Sequence, residues 1–228
     1  MFHPNDQPME RGWVGRIDGD RVLHLAAQTL QSFFLGGGGA REHAEYPLDE
    51  VTLLVPVIYP PAVRVFDAQE AFEFANPMAV RGPGAVAVRP AGAETLSLLP
   101  RLAAVIGAEG AIGGFSLFAD WRAPAKVQPK DRDFCSVLGP FVVTPDGFDT
   151  TTLALTVRVD GEDRLNSSVV AGFDWERARA LAAAGTELRP GDILVSTSPG
   201  ALDGIGSGAA VELEAPAIGV LKTTVGGN

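Results

Sequence analysis

Residues 97–110 read "SLLPRLAAVIGAEG", and the fold turns on them. The run is apolar and strand-like, and it carries one charge, Arg101. Side chains of a strand alternate between two faces. Leu99, Arg101, Ala103 and Val105 therefore share one face, and Leu98, Leu102, Ala104 and Ile106 share the other. Burying an unpaired charge is costly, so an arginine inside such a run demands a partner. The bland alternative is an arginine near the strand's end whose head snorkels to solvent.

Outward from this run the chain continues as short strands. From residue 79 onward these are "AVAVRP", "RLAAVIG", "GPFVVTP", "LALTVRVDG", "DILVST", "AVELEAP" and "IGVLKTTV". Turn residues punctuate them, among them Pro145-Asp146-Gly147 and Asp160-Gly161. One clear helix is expected, "DWERARALAAAG" (174–185), with Asp174 as N-cap and Gly185 as its stop. Upstream, "GWVGRIDGDRVLHL" (12–25) reads as a β-hairpin turning at "DGD". "AAQTLQSFF" (26–34) has helical spacing, and "LGGGGA" ends it. Those four glycines are not followed by Gly-Lys-Ser/Thr, so a flexible loop is expected rather than a phosphate loop. The proline-broken residues 50–65 read as a passage between two units: 1–55, a small N-terminal β unit, and 56–228, the main domain. Strands with few helices give a mixed α/β, mainly β class, built as a curved sheet, roll or barrel.

Bulk properties exclude several functions. The chain has 228 residues, 46% of them hydrophobic and 20% charged, enough for one sizeable core. Its 18 basic residues face 28 acidic ones, a formal charge of −10. With no basic cluster to offset that charge, no nucleic-acid partner is expected. The most apolar run, "VTLLVPVIYPPAV" (51–63), is short and broken by prolines, so no membrane span is expected. A single cysteine and the lack of a signal-peptide pattern lead to the expectation of a cytoplasmic protein.

Chemistry-bearing residues are unevenly spread. His3, His24 and His43 all lie in the first fifth of the chain, which excludes a histidine-centred triad or metal site within the main domain. Cys135 reads as a small core residue. "ADWRAPAKVQPKDRDF" (119–134) is the densest charge run; it leads directly into the apolar "CSVLGPFVVTP". Such a loop is either a solvated face or the lining of a pocket. In "LRPGDILVSTSPGALDGIGSG" (188–208), a strand runs into a Gly/Ser/Thr loop. That loop either binds an anion through N–H groups and hydroxyls or is ordinary turn chemistry.

Taken in order, the blocks "RGWVGRIDGDRVLHL", "FANPMAVRGPG", "LAAVIGAEG", "GFSLFADWRA", "KDRDFCSVLGPFVVTPDGF", "VRVDGEDR", "LRPGDILVSTSPG" and "VELEAPAIGVL" resemble the fumarylacetoacetate hydrolase family. They span nearly the whole chain. The resemblance implies a mixed β-roll, a homodimer, and a pocket where Mg²⁺ or Ca²⁺ chelates a 1,3-dicarbonyl or oxo-acid. The substrate is then hydrolysed, decarboxylated or isomerised. The family's Glu-x-Glu ligand pair falls on Leu99 and Arg101, and its third carboxylate on Asp120. Asp120 is therefore the only retained ligand position. The family's pocket lysine and neighbouring aspartate fall on Lys130 and Asp133. Its Thr-Gly-Thr-Pro turn reads Ser196-Thr197-Ser198-Pro199. "FDAQEAFEFANP" (66–77) runs on past Glu70 without the family's general-base histidine or its lid.

These departures imply a lost metal site, because one carboxylate does not satisfy a hard cation that takes six or more oxygens. No cofactor is expected; Mg or Ca is the fallback if the metal is retained. The leading expectation is an enzyme in which fixed cations replace the metal. Arg101, Lys130 and Arg132 would hold a carboxylate or enolate, with Asp120 orienting Arg101 and Asp133 beside them. Ser196, Thr197 and Ser198 would line the ligand. The second expectation is a non-catalytic ligand-binding or partner protein of the same fold. The third is a metal-dependent C–C bond hydrolase.

Overall fold

Two strands of eleven residues, Leu96–Ile106 and Ile112–Arg122, form the spine of the structure. Their length follows from an almost unbroken apolar sequence buried on both faces. The computed structural model describes residues 1–147, 149–150, 153–168 and 172–227. In chain order the strands of the first part are β1 (Phe2–Pro4), β2 (Gly15–Asp18), β3 (Arg21–Leu25), β4 (Glu42–Pro47) and β5 (Val51–Leu53), with helix α1 (Leu30–Leu35) between β3 and β4. Next come β6 (Val63–Ala68), β7 (Ala71–Ala75), β8 (Val80–Arg81), β9 (Val86–Val88), β10 (Leu96–Ile106), β11 (Ile112–Arg122) and β12 (Ser136–Val143). The last part holds β13 (Ala154–Val159), β14 (Glu162–Ser168), α2 (Trp175–Ala183), β15 (Ile193–Val195), β16 (Leu202–Ile205), β17 (Ala210–Ala215) and β18 (Gly219–Gly226).

The strands form an eight-stranded sheet in the order β7-β6-β15-β10-β11-β12-β8, with β16 also on β10. A five-stranded sheet runs β14-β13-β17-β18-β9. One face of the larger sheet (Leu98, Leu102, Leu117, Trp121) shares a core with the smaller (Val157, Val211, Leu213, Leu221). The opposite face of the larger sheet (Val65, Ala103, Val105, Phe118, Leu138, Val195) packs with Phe34 and Val57. Near the N-terminus, β2-β3-β4 and β1-β5 form two further small sheets around Phe2, Val22 and Val51. The result is the mainly β roll that the resemblance implies.

Several expectations hold in detail. Asp174 caps α2 by accepting a bond from the Arg177 N–H at 3.0 Å, and Trp175, Ala178 and Ala182 form its buried stripe. Gly185 follows the helix with φ +71, the left-handed conformation that glycine adopts without steric cost. The hairpin of β2 and β3 turns at Gly19-Asp20.

Others need correction. The first helix starts at Leu30, not Ala26, because Thr29 caps it by accepting from the Ser32 N–H at 3.1 Å. Residues 119–122 of the charged run are the end of β11 rather than loop. β7 and β14 are strands beyond those expected from the sequence. β14 is an edge strand with a polar sequence, EDRLNSS, which suits an unprotected edge.

Candidate active site

Register places the charged residues on one face. Leu99 pairs with Asp120, Arg101 with Phe118 and Ser97 with Arg122 across β10 and β11. Val65 pairs with Glu73 across β6 and β7. Alternation then puts Asp67, Glu73, Arg101, Asp120 and Arg122 on the same side of the large sheet. The loop after β11 brings Asp131 and Arg132 back over that side.

Asp120 is the hub. Its side chain is 1% exposed. Its Oδ2 accepts from Arg101 Nε at 3.1 Å, Arg122 Nη2 at 3.2 Å and Arg132 Nη2 at 3.2 Å. Arg122 Nε lies 3.2 Å from Oδ1. Arg101, 0% exposed, does not snorkel. Its Nη1 donates to the carbonyls of Phe66 and Ser196, both at 2.9 Å, and its Nη2 donates to Asp67 Oδ1 at 2.5 Å. Four of its five N–H donors are thereby used by protein groups. Arg122 also meets Asp131 at 3.0 Å, and Arg132 meets Glu73 at 2.9 Å. Burial alone would raise the Asp67 carboxyl's pKa. The charges of Arg101, Arg122 and Arg132 and the Arg101 hydrogen bond outweigh burial and hold it below the ordinary value.

The other expected site residues sit differently. Lys130, on the surface, pairs with Asp133 at 2.6 Å. Asn76 Nδ2 anchors the backbone there by donating to the Asp133 carbonyl at 3.0 Å. Arg132, between them in sequence, turns inward and is 2% exposed. Ser196 is buried; its hydroxyl accepts from the Leu102 N–H at 3.1 Å and donates to the Thr197 carbonyl at 2.9 Å. The Ser198 hydroxyl lies 2.9 Å from the Pro100 carbonyl and 2.8 Å from that of Gly200. These two hydroxyls thus brace the loop against β10, and the Ser196 carbonyl helps hold Arg101. Cys135 is buried, and desolvation pushes its thiol up to about 11, so it stays protonated and inert near neutrality. His24 stacks on Trp13 with centroids 4.5 Å apart, a structural position. Past Glu70 the chain turns directly from β6 into β7.

Asp67 and Glu73 were not singled out from sequence. They lie in "FDAQEAFEFANP", where a short polar strand pair resembles a linker. The signal was parity: Val63, Val65 and Asp67 alternate with buried residues between them.

The donor set does not fit a divalent cation. The Leu99 side chain has no oxygen to offer, and three guanidinium groups already converge on Asp120. A hard cation would need several oxygens and would face three positive charges. Among the described residues no group of three or more His, Cys, Asp or Glu side chains is placed to hold a metal. A cavity of about 900 Å³ does occur, but it lies between the N-terminal sheets and the main sheet, lined by Val14, Leu25, Phe34, Ile112 and Phe141. None of the charged cluster lines it.

The two long central strands of the mainly β roll thus carry this charged cluster on one face. The family model described as fumarylacetoacetate (FAA) hydrolase C-terminal matches residues 57–226. This chain belongs to the fumarylacetoacetate hydrolase family. Among solved structures it is similar to maleylpyruvate hydrolase from Sphingobium sp. SYK-6, at 22% identity and a TM-score of 0.81, covering 96% of this chain and 98% of that one. It is also similar to 5-carboxymethyl-2-hydroxymuconate delta-isomerase from Mycobacterium smegmatis, at 22% identity and a TM-score of 0.77, covering 95% and 94%. The Sphingobium enzyme has also been solved in complex with manganese (II) ion and pyruvate; this chain matches that structure at 20% identity and a TM-score of 0.79, covering 96% and 97%. No curated protein matches the chain.

Proposed function

We propose that this chain acts on a small oxo-acid or 1,3-dicarbonyl compound without a divalent metal. The reaction would be a decarboxylation, tautomerisation or cyclisation that passes through an enolate. The observation that carries the reading is the convergence of Arg101, Arg122 and Arg132 on Asp120, beside a leucine at the other expected ligand position. Preorganised positive charge lowers the energy of an enolate as a metal would. Hydrolysis would need a base for water, and no histidine follows His43 in the chain. Lys130 and Asp133, flanking Arg132 in its loop, are the proposed rim of the site, and Thr197 is proposed for the opposite rim. The proposed setting is a cytoplasmic homodimer, with residues 1–55 as the small N-terminal unit and 56–228 as the roll.

The test is proton exchange between solvent and substrate. Pyruvate and oxaloacetate are incubated with the protein in deuterated buffer and followed by NMR. The expected result is deuterium entering the carbon next to the oxo group, unchanged by a chelator. Exchange only when Mn²⁺ is added would return the chain to the metal-dependent hydrolases.

A second reading, a non-catalytic ligand-binding protein, draws on a specific observation. Arg101 spends four of its five N–H groups within the protein. Binding of an oxo-acid without any exchange would favour it.

A further inference from the structure

Resting on the reading that the arginine cluster is the ligand site, we propose that Asp67 is that site's internal occupant. Its tethered carboxylate must be displaced from Arg101 and Arg122 before a ligand carboxylate binds.

Two carboxylates bridge these arginines, and they differ in one respect. Asp120 is locked at 1% exposure, whereas the Asp67 side chain is 51% exposed. Asp67 Oδ1 lies 2.5 Å from Arg101 Nη2, and Oδ2 lies 3.7 Å from Arg122 Nη2 and 4.0 Å from Arg132 Nη1. It thus presents two oxygens to three guanidinium groups at the solvent edge, the disposition a bound carboxylate would take. Glu73, also half-exposed, pairs with Arg132 alone.

Charge balance favours exchange over addition. Three guanidinium groups face four carboxylates, those of Asp67, Glu73, Asp120 and Asp131. A monoanion that replaced Asp67 would leave this balance unchanged; one added beside Asp67 would worsen it by a full charge. Arg132 Nε is a buried donor with no partner among the described residues. A 2-oxo acid carries a carboxylate to take Asp67's place and a second oxygen suited to such a donor.

The backbone around Asp67 is pinned. The Phe66 carbonyl accepts from Arg101, Gln69 exchanges hydrogen bonds with the Asp174 backbone at 2.8 and 3.0 Å, and Glu70 pairs with Arg177 at 3.2 Å. Exchange therefore needs rotation of the Asp67 side chain rather than opening of the hairpin. A tethered competitor acts at an effective concentration on the order of millimolar. It lowers a ligand's apparent affinity by the fraction of molecules in which the site is free.

The test uses oxamate, a monoanion with one carboxylate and a neighbouring carbonyl oxygen, as the probe, titrated by calorimetry into the full chain. Native protein, Asp67→Asn, Asp67→Glu and Glu176→Gln are compared after thermal unfolding has verified that each is folded. Asp67→Asn is expected to bind oxamate about tenfold or more tightly than native, the factor for a site otherwise free in a tenth of molecules. Asp67→Glu should keep the native affinity. Glu176→Gln, which removes one exposed acidic charge outside the cluster, should stay within about twofold of native. Equal affinity in native and Asp67→Asn would overturn the occupant role and leave the ligand site standing. No binding in any variant would overturn both.

Discussion

Arg101 Nε lies 3.1 Å from Asp120 Oδ2, diagonally across β10 and β11, and both side chains are 1% exposed. An arginine and a carboxylate of the expected ligand set thus satisfy each other in the dry side of the sheet. Around them Arg122 and Arg132 complete a network whose outer carboxylates, Asp67 and Glu73, meet solvent. The charges that would have repelled a cation are the ones that make Asp120 burial tolerable.

Removing Arg101 should be costly. Arg101→Leu leaves Asp120 less paired and frees the carbonyls of Phe66 and Ser196 in a buried place. A loss of about 3–5 kcal/mol is expected, as for one partner of a buried ion pair. Urea unfolding of native and variant measures it; a difference below about 1 kcal/mol would mean that Arg122 and Arg132 suffice.

Acid should weaken the network through Asp67. Its folded pKa is below the ordinary value, with burial opposing and Arg101, Arg122 and Arg132 prevailing. The unfolded chain therefore takes up the proton first as pH falls. The contribution is complete above the ordinary carboxylate pKa and is lost as pH drops through the folded value. Asp67→Asn should flatten the acid limb of a stability-against-pH curve below about pH 4; an unaltered limb would show that Asp67 is not ionically coupled.

His24 gives a second, milder slope. Burial first, and the neighbouring His43 second, lower its pKa. The unfolded chain then binds the proton more readily, so stability falls as pH drops below about 6.5. His24→Phe keeps a ring on Trp13 and removes the proton. Its melting temperature should change less between pH 7 and pH 5.5 than the native one, as read by calorimetry.

The α2 cap is testable by itself. Asp174→Ala removes the acceptor for the Arg177 N–H and should cost about 1 kcal/mol. A chemical-denaturation midpoint equal to native would place the helix's stability in Trp175, Ala178 and Ala182 instead.

How far the sequence carried can be seen at particular residues. Strand parity around Arg101 was readable because the run is long and apolar, and it gave the pairing face correctly. The α2 boundaries were readable from Asp174 and Gly185. The start of α1 was not, since Ala26–Gln28 has helical composition and only the Thr29 cap decides the boundary. Arg122 and Asp131 stood out as charges but not as partners, because strand and loop halves of the 119–134 run look alike in sequence. Asp67 and Glu73 stayed hidden because their neighbours in space, Arg101 and Arg132, are distant in the chain. Ser196 was read for its hydroxyl, whereas its carbonyl is what reaches Arg101. Backbone roles of this kind leave no trace in residue identity.

The central claim is that an arginine–carboxylate network stands where the family's cation would be held. A crystal structure grown in excess MnCl₂, with data collected for manganese anomalous scattering, tests it most directly. The account predicts no anomalous peak at Asp120 and Arg101 Nε still at hydrogen-bond distance from Oδ2. Manganese ligated by Asp120 at about 2.0–2.6 Å, with Arg101 turned away, would contradict it.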